Sequence, residues 1–156
     1  MRGHLKRVPV WLPADTAIIY FVTCCTASRQ KLLANAQAHE AIWAAWQRVG
    51  DWRVGRYVVM PDHGHFFIAP LARDARLSKC VQAFRSFVTK DLRPIGYPYP
   101  LWQREFFDHL LRSDESYASK WEYVRQNPVR HGLAKSPEDW PYAGEIQPLE
   151  LQLRTC

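Results

Sequence analysis

The sequence predicts an α+β protein with the ferredoxin-like order βαββαβ: an antiparallel sheet with helices on one face, followed by a C-terminal helix that carries a tyrosine. Three strand-like runs, at residues 17–26, 52–60 and 63–69, are rich in β-branched and aromatic residues. Two stretches, at 38–49 and 77–92, carry apolar residues at helical spacing. Their order along the chain favours the split βαβ plan.

The first half of the chain shows clear element boundaries. Gly50 follows the first helical stretch and is a typical helix stop. Pro61 and Asp62 separate the second and third strands and suit a tight turn. The helix at 77–92 has its apolar face formed by Leu77, Cys80, Val81, Phe84, Val88 and Leu92.

The second half begins with a loop at residues 94–102, which contain three prolines and one glycine. A short strand is expected at 106–112, after which Ser113 is a suitable cap for the next helix. Pro128 is expected to end that helix, because the residue before a proline is driven out of helical geometry. The inner face of this helix is expected to consist of Tyr117, Trp121 and Val124.

The length of 156 residues fits a single domain over 1–156, with a core at about 17–144. The longest apolar stretch is too short to span a bilayer, and the N-terminus has no apolar segment of signal-peptide length. The four cysteines form no CxxC pair, which excludes a zinc ribbon and favours the reducing cytoplasm. The net charge of +6 and a pI of about 9.3 are compatible with a nucleic-acid partner.

His63 and His65 form the first candidate site. Residues two apart on a strand project to the same face, so both imidazoles are within reach of one divalent cation. The structural alternative is that they are two half-buried histidines next to a turn.

Tyr123 and Asn127 form the second candidate site. They are four residues apart on the predicted helix and therefore lie on nearly the same side, at the boundary of its apolar face. The structural alternative is a surface tyrosine and an ordinary helix-ending asparagine.

A row of basic residues lies on the solvent side of the helix at 77–92 and in the segment just before that helix. A row of this kind is able to contact a phosphate backbone, or it is simply a solvated helix face. Its members are Arg73, Arg76, Lys79, Lys90 and Arg93.

Five blocks of the sequence, taken in order, resemble one family. They are YFVT, VVMPDHGH, LWQREFFDHLLRSDES, EYVRQNPVRHGL and EDWPYAG, and together they extend over about residues 20–144. The chain is similar to the small single-tyrosine HUH transposases, and the branch it resembles most is that of the REP-associated tyrosine transposases, relatives of insertion-sequence transposases.

The resemblance implies a role for each matching residue. His63 and His65 match the metal-binding histidine pair, Asn127 matches the third metal ligand, and Tyr123 matches the nucleophile. The implied cofactor is Mg²⁺ or Mn²⁺, and the implied reaction passes through a 5′-phosphotyrosine. The implied partner is single-stranded or hairpin DNA, bound by a monomer or homodimer associated with the nucleoid. Arg104 and Lys120 join the basic row as expected DNA contacts, with Tyr97, Tyr99 and Trp102 as candidates for base stacking.

The sequence departs from the family pattern at two positions. Gly64 stands where the family carries a bulky apolar residue, so a loss of packing and strand rigidity is expected. Asp62 stands where relatives usually carry asparagine, and it is expected either to cap the turn or to add negative charge near the ion. Two other functions therefore remain open: a hairpin-binding protein that does not cut, and an RNA-binding module of similar fold.

Overall fold

A computed structural model describes residues 18–111 and 114–149, and within these ranges it contains four α-helices and five strands. The helices are α1 (Ala36–Arg48), α2 (Leu77–Leu92), α3 (Asp114–Arg125) and α4 (Asn127–Arg130). The strands are β1 (Ile19–Cys25), β2 (Trp52–Met60), β3 (His63–Pro70), β4 (Phe107–Leu111) and β5 (Ala143–Glu145). None of the helices in the described ranges is long and apolar enough to cross a membrane.

The strands form one antiparallel sheet in the order β4-β1-β3-β2-β5. In the first four strands, β1 and β3 lie in the middle, which is the arrangement of the ferredoxin-like plan. The predicted fold class is therefore confirmed. β5 was not predicted, because it is a three-residue strand with no alternation of apolar and polar residues.

One face of the sheet is covered by α1 and α2 and contains the larger hydrophobic cluster. Phe84 of α2 is fully buried there, with its ring centre 3.9 Å from that of Trp46 in α1. Phe66 of β3 packs against both, at 5.1 Å from Trp46 and 5.2 Å from Phe84. The predicted apolar face of α2 is buried along its whole length.

The opposite face of the sheet is covered by α3 and contains a smaller cluster. Tyr117 and Val124 of α3 are buried, and Trp121 is partly buried, as its predicted inner face requires. Phe67 of β3 lies 4.9 Å from the Tyr117 ring. The helix that carries the candidate tyrosine is thus fixed to the sheet face on which His63 and His65 lie.

Gly64 lies between the two histidines and faces the larger cluster. A Cβ atom at this position would come within 2.6 Å of the Phe66 ring, which is fully buried. The space that an apolar side chain normally fills is therefore taken by a neighbouring ring. The loss of packing expected at Gly64 does not occur for this reason.

In the N-terminal half of the chain, the boundaries of β1 and α1 differ from the prediction. β1 is shorter than the predicted range 17–26: residue 17 lies outside the described residues, and Thr26 forms only an isolated bridge. α1 begins earlier than predicted, at Ala36, because the Asn35 side chain accepts a hydrogen bond from the Ala38 N–H at 2.8 Å. This side chain caps the helix.

The two ends of α3 also differ from the prediction. Arg112 and Ser113, the predicted strand end and helix cap, lie outside the described residues. α3 ends at Arg125, and Pro128 then lies in the first turn of α4. A proline is tolerated there because its missing N–H has no partner in the first turn. The helical path therefore continues past the predicted stop.

Replacing Gly64 with alanine is expected to lower the free energy of unfolding by about 1–3 kcal/mol, because the added methyl group meets the buried Phe66 ring. Urea unfolding measures this change. In a Phe66→Leu background the same substitution should cost less, since the obstructing ring is gone. An equal cost in both backgrounds would contradict the assigned contact.

Candidate active site

The pairing of β3 with β1 places both histidines in one cluster. The register sets Thr23 opposite His65 and Cys25 opposite His63. The ring of Phe21 stacks on His65 with 5.1 Å between centres, and the two imidazole rings are 4.8 Å apart. The predicted same-face arrangement of the histidines is therefore confirmed.

Each imidazole uses its Nδ1 atom to contact a neighbouring side chain. The Nδ1 of His65 lies 2.8 Å from Thr23 Oγ1, and the Nδ1 of His63 lies 2.7 Å from Asp62 Oδ1. In the described part of the chain, neither Nε2 atom makes a hydrogen bond. In the tautomer whose Nδ1–H donates to these oxygens, the ring is fixed and the electron pair of Nε2 is available to a metal ion.

Asp62 is held in turn by Arg29, whose Nε atom lies 3.0 Å from Asp62 Oδ2. Burial acts to raise the pKa of Asp62, but hydrogen bonds from His63 and Arg29 hold that pKa below its ordinary value. Arg29 and Ser28 both have positive φ, 51° and 58°, a conformation that costs energy for residues other than glycine. The Asp62 side chain thus places a negative charge beside His63, and its role near an ion stays a prediction.

The histidines are surrounded by groups that keep them neutral. Burial and, to a smaller extent, the positive charges of His63 when it is protonated, of Lys120 and of Arg130 together lower the pKa of His65 to about 3. Burial also lowers the pKa of His63, although Asp62 partly offsets this effect. Both imidazoles are thus uncharged at neutral pH, which is the form that binds metal ions.

Tyr123 lies on α3, and its side chain is 61% exposed. Lys120, one turn earlier, bridges the tyrosine and the histidine cluster. Its Nζ atom is 5.9 Å from the centre of the Tyr123 ring and 4.8 Å from that of Phe21, which stacks on His65. The fold therefore places the candidate tyrosine and the histidines on the same side of the sheet, with Lys120 and Phe21 between them.

Asn127 lies at the start of α4 and is 9% exposed. Its Oδ1 atom accepts a hydrogen bond from Arg130, and its carbonyl oxygen lies 2.9 Å from His131 Nδ1. The Arg130 guanidinium also lies 4.0 Å from the centre of the Tyr123 ring. No role was predicted from the sequence for Arg130 or His131. The available signal was helical spacing, because residues three and four positions after Asn127 share its turn.

These donors fit a divalent cation. Two neutral imidazoles lie with their ring centres 4.8 Å apart, and the amide oxygen of Asn127 accepts a hydrogen bond from Arg130, whose positive charge helps to lower the pKa of His65. Among the described residues, no cluster of three or more His, Cys, Asp and Glu side chains completes a metal site. Amide, water or substrate oxygens would therefore complete the coordination, a mixture that suits Mn²⁺ and, less well, Mg²⁺.

The residues predicted to contact DNA do not form one patch. Arg73 and Arg76 lie in the connection between β3 and α2, whereas Lys90 and Arg93 lie at the other end of α2. Lys79 is eleven residues before Lys90, or about 16 Å along the helix. Arg104 is exposed just beyond the loop after α2, and Lys120 lies across the sheet on α3.

The three aromatic residues proposed for base stacking have different roles. Trp102 is 8% exposed and packs on Phe84, so it belongs to the core. Tyr97 donates a hydrogen bond to Asn35 Oδ1 at 3.1 Å, so it fixes the loop to α1. Tyr99 is 62% exposed and remains a candidate for stacking.

No protein-family model matches the chain. An Escherichia coli (strain K12) protein named REP-associated tyrosine transposase is 29% identical, with 62% of this chain and 56% of the relative covered. A Haemophilus influenzae protein provisionally given the same name is 30% identical over 54% of each chain. A second H. influenzae protein, of unassigned function, is 24% identical over 70% of this chain and 79% of its own length. The chain spans about half the length of the two named relatives.

Two solved structures resemble the fold. A REP-associated tyrosine transposase bound to a REP hairpin has a TM-score of 0.72 at 23% identity, covering 91% of this chain and 82% of that one. A Deinococcus radiodurans protein provisionally described as a transposase has a TM-score of 0.53 at 14% identity, covering 78% of this chain and 97% of that one. At these identities the likeness shows a shared fold. With the curated relatives, it confirms the resemblance carried by the five sequence blocks: the chain is similar in sequence and in fold to proteins named REP-associated tyrosine transposase.

Proposed function

We propose that the protein is a metal-dependent, site-specific endonuclease and strand transferase that acts on single-stranded DNA at palindromic, REP-like hairpins. The observation that carries this proposal is an exposed tyrosine whose neighbour Lys120 also contacts the ring stacked on His65, one of two imidazoles whose Nε2 atoms have no hydrogen-bond partner in the described residues. The names of the curated relatives, and a solved relative bound to a REP hairpin, support it.

The covalent step would use the phenol oxygen of Tyr123. This oxygen attacks the scissile phosphorus and loses its proton to solvent, while the bond from phosphorus to the 3′-oxygen breaks. The DNA 5′ end is then held as a phosphotyrosine, and the departing 3′-oxygen takes up a proton to become a hydroxyl. Attack by a 3′-hydroxyl reverses the step and joins the DNA to a new end. No ATP is needed, because the phosphodiester bond energy is retained.

The surrounding residues would position the reacting groups and supply positive charge to them. The two histidines of β3 and Asn127 would hold a divalent cation, with Thr23 and Asp62 fixing the imidazole orientation. When bound, such a cation withdraws electron density from the scissile phosphate. Help of this kind is needed because a phenol, with an ordinary pKa of about 10, is mostly protonated at neutral pH. Lys120 adds a positive charge near the tyrosine ring.

The DNA hairpin would be held mainly across the sheet from the tyrosine. Lys90, Arg93 and Tyr99 line an open groove of about 500 Å³ along α2, and the Arg93 guanidinium lies 4.1 Å from the centre of the Tyr99 ring. Cations beside an exposed ring suit phosphates and an unpaired base. Thr26 contacts both the turn that precedes His63 and the loop that follows α2. Its N–H donates to the Asp62 carbonyl oxygen, and its backbone pairs with Trp102.

A second candidate function is hairpin binding without cleavage. The observation in its favour is the hydrogen bond from Arg130 to Asn127 Oδ1, the oxygen that the proposal assigns to the metal ion. If this bond persisted with DNA bound, the coordination would lack its third protein ligand. The adduct experiment below separates the two functions, because a hairpin-binding protein shifts labelled DNA and leaves it uncut.

Tyr123→Phe is expected to abolish the covalent protein–DNA adduct, because the attacking oxygen is removed. The variant should still bind hairpin DNA within about twofold of the wild-type affinity, since the ring is retained. Denaturing electrophoresis of end-labelled hairpin DNA with Mn²⁺ measures the adduct. Tyr142→Phe is the matched control and should form the adduct normally, because Tyr142 packs against Trp140 and His39 away from the site. Adduct formation by Tyr123→Phe at the wild-type rate would refute the assignment.

Metal removal is expected to stop cleavage, and added Mn²⁺ should restore it. His63→Ala and His65→Ala should each weaken Mn²⁺ binding by at least about 100-fold, because each deletes a ligand. Electron paramagnetic resonance of free Mn²⁺ measures this affinity. His39→Gln, on the other face of the sheet, should bind Mn²⁺ as the wild type does. Full cleavage by the double histidine variant in a chelator would contradict the proposal.

The double variant Lys90→Gln/Arg93→Gln is expected to bind hairpin DNA about tenfold more weakly, because two phosphate contacts are lost. The slope of log affinity against log salt should fall by about 2. Fluorescence anisotropy at several salt concentrations gives both values. Lys135→Gln, an exposed lysine beyond α4, is the control. An unchanged affinity and slope would show that the groove does not contact DNA.

A further inference from the structure

Arg130 lies over the ring of the proposed nucleophile, and in the described part of the chain it has no carboxylate partner. The acidic residues of this region are engaged elsewhere, since Arg125 pairs with both Glu122 and Glu138. The Arg130 side chain is also exposed to solvent. An exposed guanidinium without a counter-charge, next to Tyr123, is placed to receive an anion.

The present partners of Arg130 are neutral oxygens. Its Nη2 atom donates to Asn127 Oδ1, and its Nη1 atom donates to the carbonyl oxygen of Tyr123 at 2.9 Å. A phosphate is an ionised acceptor that a guanidinium binds through two parallel hydrogen bonds, which adds both energy and geometric specificity. A phosphate that reached Tyr123 would therefore compete well for this side chain.

The hydrogen bond to Asn127 has a second consequence. The same Oδ1 atom is the expected ligand of a divalent cation, and a guanidinium and a metal ion repel each other at short range. Without DNA, the Arg130 side chain both occupies the ligand and adds positive charge beside it. The free protein is therefore poorly prepared to bind metal at this position.

We propose that Arg130 binds the phosphate at which the DNA is cut, and that while DNA is absent the Arg130 guanidinium stays hydrogen-bonded to Asn127 Oδ1. The proposal rests on the function proposed above. When the phosphate arrives, the guanidinium moves from Oδ1 to the phosphate oxygens, and the amide oxygen becomes available to the cation. DNA and metal ion thereby favour each other's binding, and the coupling is reciprocal.

A purely structural role for Arg130 gives different expectations. The hydrogen bond to the Tyr123 carbonyl joins the end of α3 to α4, so the side chain would act as a clamp between the helices. Removing a clamp lowers thermal stability and loosens the site as a whole. It gives no reason for metal affinity to rise.

The test compares Arg130→Gln, Arg130→Lys and the matched control Arg125→Gln, an arginine of α3 that pairs only with glutamates. Mn²⁺ titration of the DNA-free proteins measures metal affinity. Single-turnover adduct formation with saturating hairpin DNA measures the covalent step. Hairpin affinity and the melting temperature complete the set.

Arg130→Gln is expected to bind Mn²⁺ about tenfold more tightly without DNA, because the competing charge is gone. It should form the adduct about 100-fold more slowly, the usual cost of losing one donor to a reacting oxyanion. Arg130→Lys should keep the wild-type Mn²⁺ affinity and form the adduct about tenfold more slowly, because it retains the charge without the fork. Arg125→Gln should match the wild type in both.

An unchanged or weaker Mn²⁺ affinity in Arg130→Gln would overturn the proposal. So would a slow adduct that follows only from a lowered melting temperature, because that is the behaviour of a clamp. A wild-type protein that forms no adduct would refute the proposed function instead. The Mn²⁺ titration, which needs no DNA, would still decide whether Arg130 competes for Asn127.

Discussion

The antiparallel register between β1 and β3 is the constraint on which the site depends. It sets Thr23 opposite His65 and places Phe21 where it stacks on the imidazole and contacts the helix that carries the tyrosine. A slip of one residue would turn both histidines towards the larger hydrophobic cluster. The buried rings of Phe66 and Phe67 oppose such a slip, because each ring would have to leave its own hydrophobic cluster and enter the cluster on the other face of the sheet. The core therefore specifies the orientation of the site.

The electrostatic arrangement follows from this packing. Burial keeps the imidazoles neutral, while Lys120 and Arg130 surround the tyrosine ring with positive charge. The carboxylate of Asp62, which contacts His63, is paired with Arg29 and orients that imidazole. The neutral imidazoles of His63 and His65 lie within a cationic surface, an arrangement that suits the proposed reaction because its substrate carries negative charge.

Local patterns predicted most of the fold and part of the site. Strand alternation placed His63 and His65 on one face, and helical spacing placed Tyr123 and Asn127 on one side of their helix. The approach of this helix to β3 was not predictable from periodicity, because it depends on packing between segments about fifty residues apart, such as that of Phe67 on Tyr117. Only the resemblance to a family implied that the tyrosine on this helix and the histidines on β3 belong to one site.

Long-range contacts also explain what the sequence did not reveal. Trp102 was a candidate for base stacking, but it fills a space beside Phe84 that only the folded core creates. Gly64 was expected to weaken the strand, but the Phe66 ring occupies its side-chain space. The position of Arg130 over Tyr123 depends on the short helix α4 continuing past a proline that normally signals an end.

The central claim is that Tyr123 becomes covalently joined to DNA, and mass spectrometry of the trapped adduct tests it most directly. Trypsin cleavage after Lys120 and Arg125 releases the peptide WEYVR, in which Tyr123 is the only hydroxyl-bearing residue. After nuclease digestion, the account predicts that this peptide carries the mass of a 5′-linked nucleotide. A nucleotide found on any other tyrosine, with this peptide unmodified, would contradict it.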